Sequence, residues 1–143
     1  VAVNLETGQE KWRSHLGDGW SPTTPTIYDS LVIAGSGDGQ MLAVNRFTGQ
    51  PAWKFQCQES IFAFSPYRTQ RQALTGSPIV TGNVIYFGAT DGFFYALNAG
   101  DGQLRWKFNL GAPVLSTPAV SGNALFIASF NGNIYCFIAE NLE

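Results

Sequence analysis

Three copies of one phrase run through the chain. Ala2-Val3-Asn4 leads to Thr7-Gly8 and Trp12, Ala43-Val44-Asn45 to Thr48-Gly49 and Trp53, and Ala96-Leu97-Asn98 to Asp101-Gly102 and Trp106. The tryptophans stand 41 and 53 residues apart. Thr24-Pro25, Ser77-Pro78 and Thr117-Pro118 each open a unit. After the proline come a turn (Asp29-Ser30, Gly82-Asn83, Gly122-Asn123), an apolar run, and a second turn at Asp38-Gly39, Asp91-Gly92 or Asn131-Gly132. A repeat of this period is one supersecondary unit that buries its apolar face only by stacking on its neighbours.

Asp-Gly and Asn-Gly between short β-rich runs are hairpin signals, and a type I′ turn is the form they suggest. Each unit therefore reads as four antiparallel strands. In the second full unit these are expected near 78–81, 84–89, 93–98 and 103–109, where Tyr86, Phe87, Phe94, Tyr95, Trp106 and Phe108 supply β-compatible bulk. Prolines interrupt most candidate helical stripes, so no helix is expected. A four-stranded sheet of this size cannot cover both its faces, and radial stacking of such sheets is a propeller. The chain thus reads as all-β, a β-propeller segment of about three four-stranded blades. The units are 1–14 (an outer strand only), 20–56, 75–109 and 115–139. The recurring tryptophan has a structural reason: such a ring buries ~150–250 Å², a gross ~4–6 kcal/mol at ~25 cal/mol per Å². The alanine that opens each phrase (Ala2, Ala43, Ala96) offers a small surface against which the ring can lie, and Thr-Gly or Asp-Gly makes the bend into the last strand.

These residues resemble the PQQ-like, tryptophan-docking β-propeller repeat. The resemblance is strongest from Asn83 to Asn98, with Asp91-Gly92 and Tyr95-Ala96-Leu97-Asn98, and continues through Trp106-Lys107-Phe108. It covers nearly the whole chain apart from one insertion. The family includes quinoprotein alcohol and glucose dehydrogenases and the non-catalytic scaffold of the outer-membrane assembly machinery, so the resemblance implies a fold and not a cofactor. It also implies a bacterial protein of the periplasm, cell surface or secreted fraction.

Val1 falls inside a third strand with no initiator Met, and Tyr135-Cys136-Phe137-Ile138 lacks the Asn, Thr-Gly and Trp of its siblings. The expectation is the last blades of a larger ring, either an open arc of one assembly or two copies pairing into a six-bladed homodimer through open edges. Charged residues make up 13 % of the chain, eight basic against ten acidic, which leaves no electrostatic footprint for nucleic acid. No apolar run approaches a membrane span. Cys57 and Cys136 sit in different blades and are expected to be free.

For catalysis the sequence offers little. The one histidine, His15, reads as a surface residue, and without a second imidazole or a Cys pair a zinc site or a Ser-His-Asp arrangement is not expected. Asp38, Asp91 and Asn131 recur at equivalent places and read as turn-makers, because side chains spread around a ring do not converge on calcium. The quinone pocket that the resemblance implies for the dehydrogenases needs adjacent cysteines, a tryptophan platform and an Asp, Glu and Asn set around calcium. The chain has no Cys-Cys pair and no stretch matching that set, so no cofactor is predicted, with PQQ and calcium kept as the alternative.

The most individual segment is an insertion. Between Trp53 and Pro78 lie 24 residues, whereas 11 separate Trp106 from Pro118. The surplus, residues 57–72, joins one blade to the next on the face of the Asp-Gly turns. It combines Phe62, Phe64 and Tyr67 with Arg68 and Arg71, residue types that anchor interfaces. Trp20, in the equivalent connection one blade earlier, extends the patch. These residues plug the central channel or cover a blade edge, meet a partner protein or small ligand, or are disordered. The functional expectation is a non-enzymatic scaffold for protein interaction or ligand binding, with a quinoprotein dehydrogenase fragment or an accessory propeller of a multidomain enzyme as the alternative.

Overall fold

The computed structural model describes residues 1–15, 17, 23–61, 74 and 76–139. Among these there are thirteen strands and no helix, hence no helix long and apolar enough to cross a membrane. All pairing is antiparallel and between sequence neighbours. Strands β1 (Ala2–Val3) and β2 (Glu10–Trp12) form a ribbon. The first full blade is β3 (Thr26–Tyr28), β4 (Leu31–Gly35), β5 (Gln40–Asn45) and β6 (Pro51–Gln56). The second is β7 (Ile79–Thr81), β8 (Val84–Gly88), β9 (Phe93–Asn98) and β10 (Leu104–Asn109). A third sheet holds β11 (Ala119–Ser121), β12 (Ala124–Ala128) and β13 (Ile134–Ile138). The second blade's strands agree with the sequence expectation to within a residue at each end.

The turns do not all take the expected form. At Asp91-Gly92 the Gly92 N–H donates to Ala89 O and the Ala89 N–H to Phe93 O, and the same pair of bonds recurs around Asp38-Gly39 and Asn131-Gly132. In each, only the glycine has positive φ (80°, 87° and 83°). These are therefore not type I′ turns but three-residue loops, a type I turn closed by a left-handed glycine. The physical reason is length: with one more residue in the loop, Asp or Asn keeps an ordinary φ and glycine alone takes the strained place.

Alternation along the strands gives each blade two faces. Ile33, Met41 and Ala43 of the first blade pack against Ile85, Phe87, Tyr95 and Leu97 of the second. The opposite face of the second blade meets the third sheet through Phe94, Leu125 and Ile127, with Tyr86, Tyr135 and Phe137 at the margin. The repeated Thr-Pro and Ser-Pro openings link the inner strands: Thr24 N–H donates to Ser77 Oγ at 2.8 Å and Ser77 N–H to Thr117 Oγ1 at 3.3 Å. Leu74 and Val114, each just ahead of a blade, are fully buried over Gly35 and Gly88 of the preceding one, where an added Cβ would stand 2.8 and 2.1 Å from them.

Candidate functional site

The Asp-Gly face is built where the chain leaves one blade and crosses the turn of the next. After β6, Cys57 and Gln58 run over the Asp91-Gly92 turn. Gln58 N–H donates to Asp91 Oδ2 at 2.9 Å, Phe93 N–H to Asp91 Oδ1 at 3.0 Å, and the Tyr95 hydroxyl to Asp91 Oδ2 at 2.5 Å. Asp91, Tyr95 and Cys57 are all buried. Burial raises the Asp91 carboxyl above its ordinary value, against the pull of its hydrogen bonds and of Lys107. The Tyr95 phenol is pushed up by burial and by its bond to Asp91, and the Cys57 thiol well up by burial and then by the Asp91 charge. A thiol so placed stays protonated and is no nucleophile. The cluster's chemistry is that of a clasp between blades.

The third sheet repeats the clasp with reversed polarity. Asn131 Nδ2 donates to Leu110 O at 3.0 Å and to the Tyr135 hydroxyl at 2.8 Å. An amide there meets a carbonyl of the crossing chain, whereas the carboxylate of Asp91 meets an N–H. In the first blade Asp38 accepts from the Ser36 hydroxyl, and Leu42 stands where Tyr95 stands in the second. Beside it lies a hollow of about 540 Å³ lined by His15, Gly17, Asp38, Gln40, Leu42 and Lys54, among others.

Each alanine that opens a phrase is the Cα partner of its own tryptophan: Ala2 with Trp12, Ala43 with Trp53, Ala96 with Trp106. The first two indoles also reach the next blade. Trp12 Nε1–H donates to Arg46 O at 3.2 Å and Trp53 Nε1–H to Ala99 O at 3.1 Å. The rings lie over Gly49 and Gly102, where an added Cβ would stand 2.5 Å from Cε3 of each indole. Sequence reasoning assigned these glycines to the bend alone. Nothing local signals their second duty as a flat seat: Gly8 stands at the same spacing from Asn4 and has nothing within 4 Å of an added Cβ. Trp106 is 38 % exposed and stacks on Phe137 at 5.6 Å instead.

Trp20, Phe62, Phe64, Tyr67, Arg68 and Arg71 lie outside the described residues. The described flanks of the insertion are anchored on the Asp-Gly face. Ile61 N–H donates to Thr90 O at 3.1 Å, with its Cδ1 against Gly92, and Leu74 N–H donates to Ser36 O at 3.3 Å. Cys57 and Cys136 are free thiols. Among the described residues no three His, Cys, Asp or Glu side chains gather in one place.

The family model described as outer membrane protein assembly factor BamB matches residues 1–142. The outer membrane protein assembly factor BamB of Yersinia pestis is 27 % identical over 97 % of this chain and 36 % of its own length. Tetrathionate hydrolase of Acidithiobacillus ferrooxidans is 30 % identical over 78 % of this chain and 25 % of its own. Among solved structures, BamB from Moraxella catarrhalis superposes with a TM-score of 0.64 at 20 % identity, over 80 % of this chain and 32 % of that one. A quinohemoprotein alcohol dehydrogenase from Pseudomonas putida HK5 gives 0.68 at 19 % identity, over 91 % and 20 %. Both structures speak for the propeller fold. The chain spans about a third of the length of the assembly-factor relatives it matches.

Proposed function

Because this chain belongs to the outer membrane protein assembly factor BamB family, we propose that it is a non-enzymatic propeller scaffold that holds a protein partner on its Asp-Gly face, on the periplasmic side of a bacterial outer membrane. The observation that carries the reading is the character of the buried polar groups on that face. Asp91 accepts from Tyr95 and from the crossing chain at Gln58, with Cys57 packed beside Tyr95, and burial holds the thiol and the phenol in their protonated forms. Such groups position loops and do no acid–base work near neutral pH. The tryptophan phrases and their glycine seats rigidify the blades, as a scaffold that presents loops requires. The partner is held through the insertion, by Phe62, Phe64, Tyr67, Arg68 and Arg71 with Trp20 beside them, between flanks anchored on adjacent blades.

The test is a Phe62→Ala/Phe64→Ala/Arg68→Ala variant of the protein, compared with the parent by cross-linking in the cell envelope and by thermal melting. Loss of a discrete cross-linked partner with an unchanged melting temperature supports the scaffold; unfolding makes these residues a plug and sinks it. The family fold also supports enzymes, so titration with pyrroloquinoline quinone and calcium is the second arm. Absence of saturable tryptophan quenching is expected. Saturable quenching with dye-linked alcohol oxidation overturns the non-enzymatic reading in favour of the quinoprotein one.

A further inference from the structure

The insertion and its three-residue sibling hang from equivalent atoms. Leu110 N–H donates to Gly92 O at 2.8 Å and Val114 N–H to Ala89 O at 3.0 Å, so residues 111–113 lie between two anchors on one turn. Cys57 N–H donates to Gly39 O at 3.0 Å and Leu74 N–H to Ser36 O at 3.3 Å, the same two places in the first blade's turn. Here the anchors enclose residues 58–73 instead. A connection of three residues spans this geometry, so the fold itself does not require the longer one. Between their anchors both connections touch the turn of the next blade, with opposite polarity. The short one presents carbonyls: Leu110 O accepts from Asn131 Nδ2, Ala112 O from the Ser129 hydroxyl and Pro113 O from the Phe130 N–H. The insertion presents N–H groups: Gln58 donates to Asp91 Oδ2 at 2.9 Å and Ile61 to Thr90 O at 3.1 Å, with the Ile61 Cδ1 against Gly92. A carboxylate only accepts and an amide can donate, so Asp91 and Asn131 each match the edge laid on them.

We propose that Asp91 and Thr90 are positioning residues for the protein partner: by accepting the N–H edge of the insertion at Gln58 and Ile61, their turn fixes the direction in which the chain runs on toward Phe62 and Phe64. The proposal deepens the scaffold reading and rests on it. The turn itself is a fixed support, since Asp91 and Thr90 are buried and Asp91 is held by Tyr95 and Phe93 from its own blade. A loop tied only at Cys57 and Leu74 would have to be ordered by the partner, at a cost in conformational entropy. Two bonds to the second blade order its first residues beforehand, and the one from Gln58 is of the strong, charge-assisted kind. Apparent affinity falls in proportion to the fraction of molecules that hold the competent course, so this turn sets affinity without touching the partner.

The test is photo-cross-linking in the cell envelope from a benzoylphenylalanine placed at Tyr67, with thermal melting alongside. Gln58→Pro/Ile61→Pro removes both N–H groups and keeps every residue assigned to the partner. It should stay folded, its melting temperature lowered by at most about 4 °C, with cross-linking about tenfold lower, as loss of one charge-assisted hydrogen bond implies. Asp91→Asn, which sets an amide against the Gln58 N–H, should lower cross-linking likewise. Gln58→Ala keeps the N–H and should cross-link as the parent does. Exchange of residues 58–73 for Gly-Ala-Pro, the sequence of 111–113, is read by melting alone and should leave a folded protein. Parental cross-linking in the proline variant or in Asp91→Asn, an equal loss in Gln58→Ala, or unfolding of the proline or exchange variant each overturns the positioning role. If that happens while the Phe62/Phe64/Arg68 variant still loses its partner, the scaffold stands without it; cross-linking unaffected by that variant removes the scaffold itself.

Discussion

Trp53 and Trp106 hold the same register in adjacent blades, each opposite an alanine, yet they stabilise their seams by different means. Trp53 lies across a seam onto the Ala99–Gly102 corner, its ring on Gly102 and its N–H on Ala99 O. Trp106 finds no such corner among the described residues. It lies among rings, 5.8 Å from Tyr86, 5.9 Å from Phe94 and 5.6 Å from Phe137, and makes no hydrogen bond among the described residues. The difference shows that the repeated phrase is two half-contacts. Its tryptophan serves the seam ahead and its glycine corner the seam behind, so one blade's phrase is completed only by the next blade's.

The sharpest way to break that seam is at the receiving side. Gly102→Val places a Cβ 2.5 Å from the Trp53 ring at a φ of 71°, where a β-branched residue is strained before any contact is counted. Clash and strain together predict a loss of about 3–5 kcal/mol in denaturant unfolding. Gly111 is the control. It has the same φ sign (74°) with nothing within 4 Å of an added Cβ, so Gly111→Ala should cost only about 1 kcal/mol. Equal losses at the two sites would mean that backbone conformation, and not the indole seat, selects glycine.

On the giving side, Trp53→Ala should cost about 3 kcal/mol and Trp106→Ala about half as much, since the second ring is already 38 % exposed. Phenylalanine separates ring from N–H. Trp53→Phe leaves Ala99 O without its donor and should cost about 1 kcal/mol beyond the lost area. Trp106→Phe removes no hydrogen bond and should fall within about 0.5 kcal/mol of wild type. Unfolding midpoints of the four variants decide this, and a Trp106→Phe loss as large as that of Trp53→Phe would show that the two seams are alike after all.

The strands, the blades and the place of the insertion were legible because period-2 runs, Pro openings and Gly turns are local signals. Whatever depends on two blades at once was not. Asp-Gly is compatible with a two-residue and a three-residue loop, and only the pairing of Ala89 with Phe93 chooses. Gly102 reads as a bend until the ring of Trp53, in another blade, is laid on it. Asp91 reads as one more turn-maker, and it is one, since its Oδ1 caps Phe93. That its other oxygen holds the crossing chain required knowing where Gln58 lies.

Asp91 and Asn131 give the smallest and most discriminating test of the same idea. Asp91→Asn copies the third sheet's residue into a site where the crossing chain offers the Gln58 N–H and not a carbonyl, so the new amide nitrogen faces a donor. A loss of about 1–2 kcal/mol is expected near neutral pH. Its pH dependence follows from the sign of the shift. The folded Asp91 carboxyl titrates above its unfolded value of 3.8, because burial outweighs the hydrogen bonds and the Lys107 charge. The fold therefore favours the protonated acid: this contribution is fully present below about pH 3.8 and is lost as pH rises through the folded value. Wild type should thus exceed Asp91→Asn by more in acid than at neutral pH, with the gap closing as pH rises from about 4. A gap that instead widened with rising pH would mean that the three hydrogen bonds to the carboxylate outweigh its burial. The clasp would then be held chiefly by the charge on Asp91, a feature the neutral clasp at Asn131 does without.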